Sequence, residues 1–297
     1  MIITVCDSSR QIGLVANQSK CGIISTDGNV IIKNENCTIA QEMDEISIPG
    51  ITEDTNPYKY IGLQQKVFDT EKSLDTLKNK LLGRMEEILQ LDLKVSDIID
   101  IYNLTIPSVA RFVLAHLNTT GKISSTFKFL EQELDRMVVK KLREANLLQS
   151  NNSTLRLYIK QAKSGFGLAN IRIEGEVAFC KAVAYNLINL LTINQTWCQV
   201  ALVKKQRKNF ITDLLQTLQH HMDEETLEDL EICFEEAIHN IKNGIKIKNI
   251  PVVLNTSNRT IKFKTHKDFQ KFIGSVIYNN FQNKLWDKYS QHMRFPK

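Results

Sequence analysis

The stretch from Leu130 to Ile171 constrains this chain more than any other, because it passes from a helical period through an alternating one into a glycine turn. In Thr154-Leu155-Arg156-Leu157-Tyr158-Ile159-Lys160, three apolar side chains alternate with Arg156, Tyr158 and Lys160, which predicts a strand with one face toward a core. Ser164-Gly165-Phe166-Gly167-Leu168 follows as a tight turn. Glycine at 165 and 167 permits positive φ or close backbone approach, and Phe166 and Leu168 pin the turn to apolar neighbours. Ten cations from Lys122 to Arg172 stand against four carboxylates in the same window.

A chain of 297 residues suffices for one large domain or two ordinary ones, and 42% hydrophobic with 24% charged residues is ordinary globular composition. The charge is unevenly laid out. Thirteen acids and seven bases lie between Ala40 and Ala110, eight acids and no Lys or Arg between His221 and Asn240, and twelve bases with two acids from Ile241 onward. Clustered bases suit a polyanion, most often nucleic acid, with a solvated basic face as the alternative. The six cysteines are widely spaced, with no CxxC and no His at ligand spacing, which argues against zinc and for a reducing compartment. No signal peptide and no run of eighteen apolar residues is read, so the expectation is a soluble, intracellular protein of nucleus or cytoplasm with no membrane contact.

Taken in order, Met1 to Val15 reads as the end of an amphipathic helix. Lys20–Ser25 and Val30–Ile32 read as a hairpin, Ile46–Ile51 as an extended piece, and Tyr58–Leu63 as a strand ending in glycine. From Thr70 the period becomes 3.6. Leu74, Leu77, Leu81, Met85 and Ile88 stripe one helix, Ser96 caps a second, Pro107 opens a third, and Phe127, Leu130, Leu134, Val138 and Leu142 stripe a fourth. Arg136, Lys140 and Arg143 share a flank of that fourth helix, with Asp135 and Lys141 elsewhere on its surface. Beyond the turn, Val177 to Leu191 and Trp197 to Lys208 predict helices, Asp223 caps an acidic one, a basic hairpin turns at 255–258, and Phe269 to Trp286 close the chain as a helix. The fold class is therefore mainly α, with a small α+β N-terminal part, a helical bundle, and a helical C-terminal region with a short β-hairpin.

No P-loop pattern, Gly-x-Ser-x-Gly or HExxH occurs. His220-His221 reads as a solvated pair and Asp97 with Asp100 as surface carboxylates, so no metal site and no catalytic residue is assigned. Three motifs, in order, resemble the non-LTR (LINE-type) retrotransposon reverse transcriptases. Ile12-Gly13-Leu14 with Asn17 and Lys20-Cys21 is similar to that family's "IGLxxNxxKC". Tyr58-Lys59-Tyr60-Ile61-Gly62 is similar to its primer-grip "YKYLG". Leu134-Asp135-Arg136 through Leu142, followed by Arg156-Leu157-Tyr158-Ile159 and Gly165-Phe166-Gly167-Leu168, is similar to its thumb pattern "LDRxVRxxL … RLYLxRxxGGxGL", with Ser164 in place of the first glycine.

The resemblance implies a remnant of the polymerase palm over 1–66, a helical thumb-like domain over 67–175, and an extension with a basic tail over 176–297. It implies that Lys20 lies where pyrophosphate departs, that Tyr60 and Gly62 hold the primer end, and that Arg136, Lys140, Arg143, Arg156, Lys160, Lys163, Gly165 and Gly167 meet nucleic acid. The Tyr-x-Asp-Asp aspartates would precede Met1, and the sequence contains no such motif. The expectation is accordingly a truncated RNA-directed DNA polymerase that binds RNA or an RNA/DNA duplex and holds no cofactor, Mg²⁺ being needed only by a full-length polymerase. A different class of function is a helical adaptor derived from a retroelement, docking protein partners through the acidic helix 223–236 and the basic tail.

Overall fold

A computed structural model describes the short strands within 23–65 and, beyond them, residues 70–116, 121–148, 153–188, 208–243, 245, 252–256, 259–263 and 265–294. The chain divides into two compact units, residues 1–76 and 77–297. The expected helix before Val15, the basic helix from Trp197, Lys20 and Gly62 lie outside the described residues.

The first unit holds three two-stranded pairings among its described residues. β1 (Ile23–Ile24) runs parallel to β4 (Gly50–Ile51), β2 (Val30–Lys33) antiparallel to β3 (Glu45–Ile48), and β5 (Tyr58–Tyr60) antiparallel to β6 (Leu63–Gln65). The expected hairpin of Lys20–Ser25 with Val30–Ile32 is thus corrected. The register sets Val30 opposite Ile48 and Ile32 opposite Ile46, and such β-branched cross-strand pairs favour this partner over the sequence neighbour.

The second unit is helical. α1 (Thr70–Leu89) begins in the first unit and continues into it, with Leu77, Leu81, Met85 and Ile88 buried as their stripe predicts. α2 (Val95–His116) is one helix, not the two expected on either side of Pro107. Proline lacks the amide that would bond the carbonyl of residue 103, yet the helix runs on through it. Thr105 Oγ1 donates to Ile101 O at 2.7 Å and Ser108 Oγ to Thr105 O at 2.7 Å. α2 has the length and hydropathy of a membrane-crossing helix, and here Ile98, Ile99, Tyr102, Ile106, Ala110 and Leu114 are buried in the core.

α3 (Ile123–Phe129) and α4 (Arg136–Glu144) are joined by a π turn, Leu130–Asp135, in which Arg136 N–H reaches back to Glu131 O. Then come α5 (Thr154–Tyr158), α6 (Ile171–Ile188), α7 (Phe210–Leu218), α8 (Glu224–Lys242), the β7 (Val253–Thr256) and β8 (Arg259–Lys262) hairpin, and α9 (His266–Arg294). α6 is the central element, packing chiefly on α2 and α9. It approaches closely at Gly175, where a Cβ would meet Leu114 Cδ1 at 2.7 Å and Leu130 Cδ1 at 2.8 Å. α6 spans residue 175.

Candidate nucleic-acid interface

Thr154–Tyr158 is a helix, which corrects the strand expected there. Leu157 and Ile159 are buried as the alternation requires, but five residues make barely one helical turn, and over that length either period hides the same side chains. Ser153 decides the start, its Oγ accepting from Leu155 N at 3.3 Å. The hydrogen bonds that a partner strand would supply come from the glycine turn instead. Phe166 N donates to Arg156 O at 3.0 Å, Gly167 N to Ile159 O at 2.8 Å and Leu168 N to Leu157 O at 2.8 Å.

Both glycines are required, for different reasons. A Cβ on Gly165 would lie 2.1 Å from Ile159 O, and Gly167 has φ +72°. Their amides point inward, so Gly165 and Gly167 hold the turn against α5 and offer no N–H to a phosphate. Asn103 of α2 fastens the turn's far side, its Nδ2 donating to Gly167 O at 2.9 Å and its Oδ1 accepting from Ala169 N at 2.8 Å.

The predicted cations fall into two groups. Arg136, Lys140 and Arg143 are exposed along α4 at the spacing of one helical flank. Arg156, Lys160 and Lys163 are exposed around α5 and the turn. The Arg156 guanidinium lies 5.3 Å from the Phe166 ring centroid and donates to Ser164 O, while Lys163 Nζ lies 5.1 Å from the ring of Trp286 on α9. Gln282 ties this group to α9, accepting from Lys160 N and donating to Tyr158 O. Lys160 also lines an open cleft of about 590 Å³ with Lys181, Lys267 and Lys271, and that cleft excludes Arg136, Lys140 and Arg143. The alternating pattern pointed to Lys160; nothing in linear spacing joined it to lysines of two later helices. Of the residues expected to hold a primer end, Tyr60 closes β5 opposite Leu63.

Behind these surfaces lies a buried polar network that the sequence pattern did not reveal. Asp135, expected on the surface, is 5% exposed and caps α6, accepting from Ile171 N at 2.8 Å and Arg172 N at 3.1 Å. The π turn rotates it inward, and a carboxylate at a helix N-terminus meets unsatisfied amides and the positive end of the dipole. Lys141 is half-buried against Glu86 at 2.9 Å. Glu174 receives Arg111 Nε and the Tyr278 hydroxyl, and Glu176 receives Arg172 Nε at 2.8 Å and His221 Nε2 at 2.7 Å. His221 is therefore not half of a solvated pair. The available signal was two acids two residues apart, Glu174 and Glu176, among the apolar residues of α6, since buried carboxylates demand partners.

Burial raises the Asp135 carboxyl to about 7 despite its two amide donors. A carboxyl raised on folding contributes stability that is fully present below its unfolded value near 3.8 and is lost as pH rises through about 7. The stability advantage of wild type over Asp135→Asn should therefore shrink between about pH 5 and 7 by on the order of 2 kcal/mol. Urea unfolding of both proteins across that range checks it, and parallel pH profiles would mean that Asp135 does not titrate differently on folding.

Asp97, in the first turn of α2, and Asp100, one turn further on, are exposed, and no three His, Cys, Asp or Glu converge on a metal position among the described residues. Compared with family models, with curated proteins and with solved structures, the chain gives no match.

Proposed function

We propose that this chain is a reverse-transcriptase-like protein of the non-LTR retrotransposon class whose helical unit grips RNA or an RNA/DNA duplex by its phosphates. The observation that carries the reading is the row of Arg136, Lys140 and Arg143, exposed together on α4 while the opposite side of that helix buries Val138, Val139 and Leu142. A rigid helix presenting cations at one-turn intervals tracks a sugar-phosphate backbone without reading bases. The motif order from Ile12 to Leu168 and the predominance of helix after Thr70 support the thumb-like assignment.

In a fluorescence-anisotropy titration against duplex at several salt concentrations, the triple variant Arg136→Ala/Lys140→Ala/Arg143→Ala should show a shallower slope of log affinity on log salt. The decrease should be up to about 0.9 for each phosphate that the variant no longer neutralises. A triple variant with the wild-type slope would end this reading of α4.

A further inference from the structure

We propose that the cleft lined by Lys160, Lys181, Lys267 and Lys271 is a binding site for clustered phosphates, separate from the α4 flank. Lys160 comes from the segment after α5, Lys181 from α6, and Lys267 and Lys271 from one face of α9. No carboxylate lines the cleft. None of the four lysines has an acidic partner among the described residues, whereas Lys78, Arg111, Lys141 and Arg172 in the same unit each hold a carboxylate within 3 Å. Four ammonium groups facing one concavity repel one another, and a polyanion seated among them relieves that repulsion.

Lys181 is placed rather than loose. Gln270 Nε2 donates to Lys181 O at 2.8 Å, fastening α9 to α6 at that point. Gly274 leaves the space that the end of Lys181 fills, since a Cβ there would come within 2.8 Å of Lys181 Cε and 3.1 Å of Nζ. The chemistry selects phosphate. Lysines act as compact point charges with rotatable donors, suited to tetrahedral oxyanions, and no guanidinium fork lines the cleft for bidentate carboxylate pairing. Tyr278, the aromatic residue of the wall, gives its hydroxyl to Glu174. The site therefore takes phosphates and not bases, whether they belong to a nucleic-acid strand or to a small free polyphosphate.

Calorimetric titration of the full chain with inorganic tripolyphosphate at low salt tests this. Saturable binding at one site is expected, weakened at least tenfold by Lys181→Gln/Lys271→Gln, retained by Lys181→Arg/Lys271→Arg, and unchanged by the α4 triple variant. Gly274→Ala keeps every charge and favours helix, yet displaces Lys181; it should also weaken binding without lowering the unfolding midpoint. Displacement of tripolyphosphate by a short oligonucleotide assigns the phosphates to a strand, and binding of both together assigns them to a free polyphosphate. No saturable binding, equal affinity in the glutamine variant, or equal weakening in the α4 variant would overturn the site, and the last two outcomes leave the salt test of α4 standing on its own.

Discussion

Gly165→Ala should lower the thermal unfolding midpoint by roughly 6 to 12 °C, the equivalent of about 3 kcal/mol for a cooperative unit of this size. A methyl group at 165 would sit 2.1 Å from Ile159 O and 2.5 Å from Ile159 C. Both are backbone atoms, so no rotamer change relieves the overlap. The carbonyl in question already accepts Gly167 N, and the flanking Phe166 N and Leu168 N bonds to α5 would have to open with it. Gly167→Ala should cost less, about 1 to 2 kcal/mol, because its penalty is the left-handed φ and its nearest neighbour is the flexible Gln161 side chain. Melts followed by circular dichroism separate the two. If Gly165→Ala melted with wild type, the clasp between α5 and the turn would not exist as described.

The second large effect is expected at Glu176, which is 1% exposed between Arg172 and His221. Glu176→Ala should destabilise the second unit by about 3 kcal/mol, because it removes the partner of buried His221, takes from Arg172 one of its two carboxylates and leaves a cavity. Burial raises the Glu176 carboxyl, but the His221 hydrogen bond and the Arg172 charge outweigh it and hold it below the ordinary value. Stability from a depressed carboxyl is present above its unfolded pKa and is lost as pH falls through the folded one. The acid side of the wild-type stability curve should therefore be steeper than that of Glu176→Gln, opposite in sign to the Asp135 contribution. Urea midpoints measured downward from neutral pH read this directly, and a flat difference between the two proteins would mean that Glu176 does not titrate differently on folding.

Long stripes were legible. Leu77 to Ile88, and Phe269 with Ile273, are buried where their periods place them, and Asp223 caps α8 by accepting from Thr226 N at 2.8 Å, whereas the first strand of the C-terminal hairpin, Val253–Thr256, takes up part of the expected turn at 255–258. Short segments were not. The alternation from Leu155 to Ile159 is satisfied by a short helix, and Pro107 sits inside α2, which runs unbroken from Val95 to His116 where a local rule ends one helix and opens another.

The candidate site divides the same way. Arg136, Lys140 and Arg143 could be grouped from their spacing on one helix, since a continuous helix carries its own geometry. The cleft could not, because Lys160, Lys181, Lys267 and Lys271 come from three segments whose adjacency depends on how α9 crosses α6. Linear order thus encodes what repeats along an element: the buried stripes, the caps and the basic row. Only packing assigns the partners of isolated groups such as Asp135, Glu176 and His221, since the energy that keeps a charge buried comes from residues brought close by the rest of the fold.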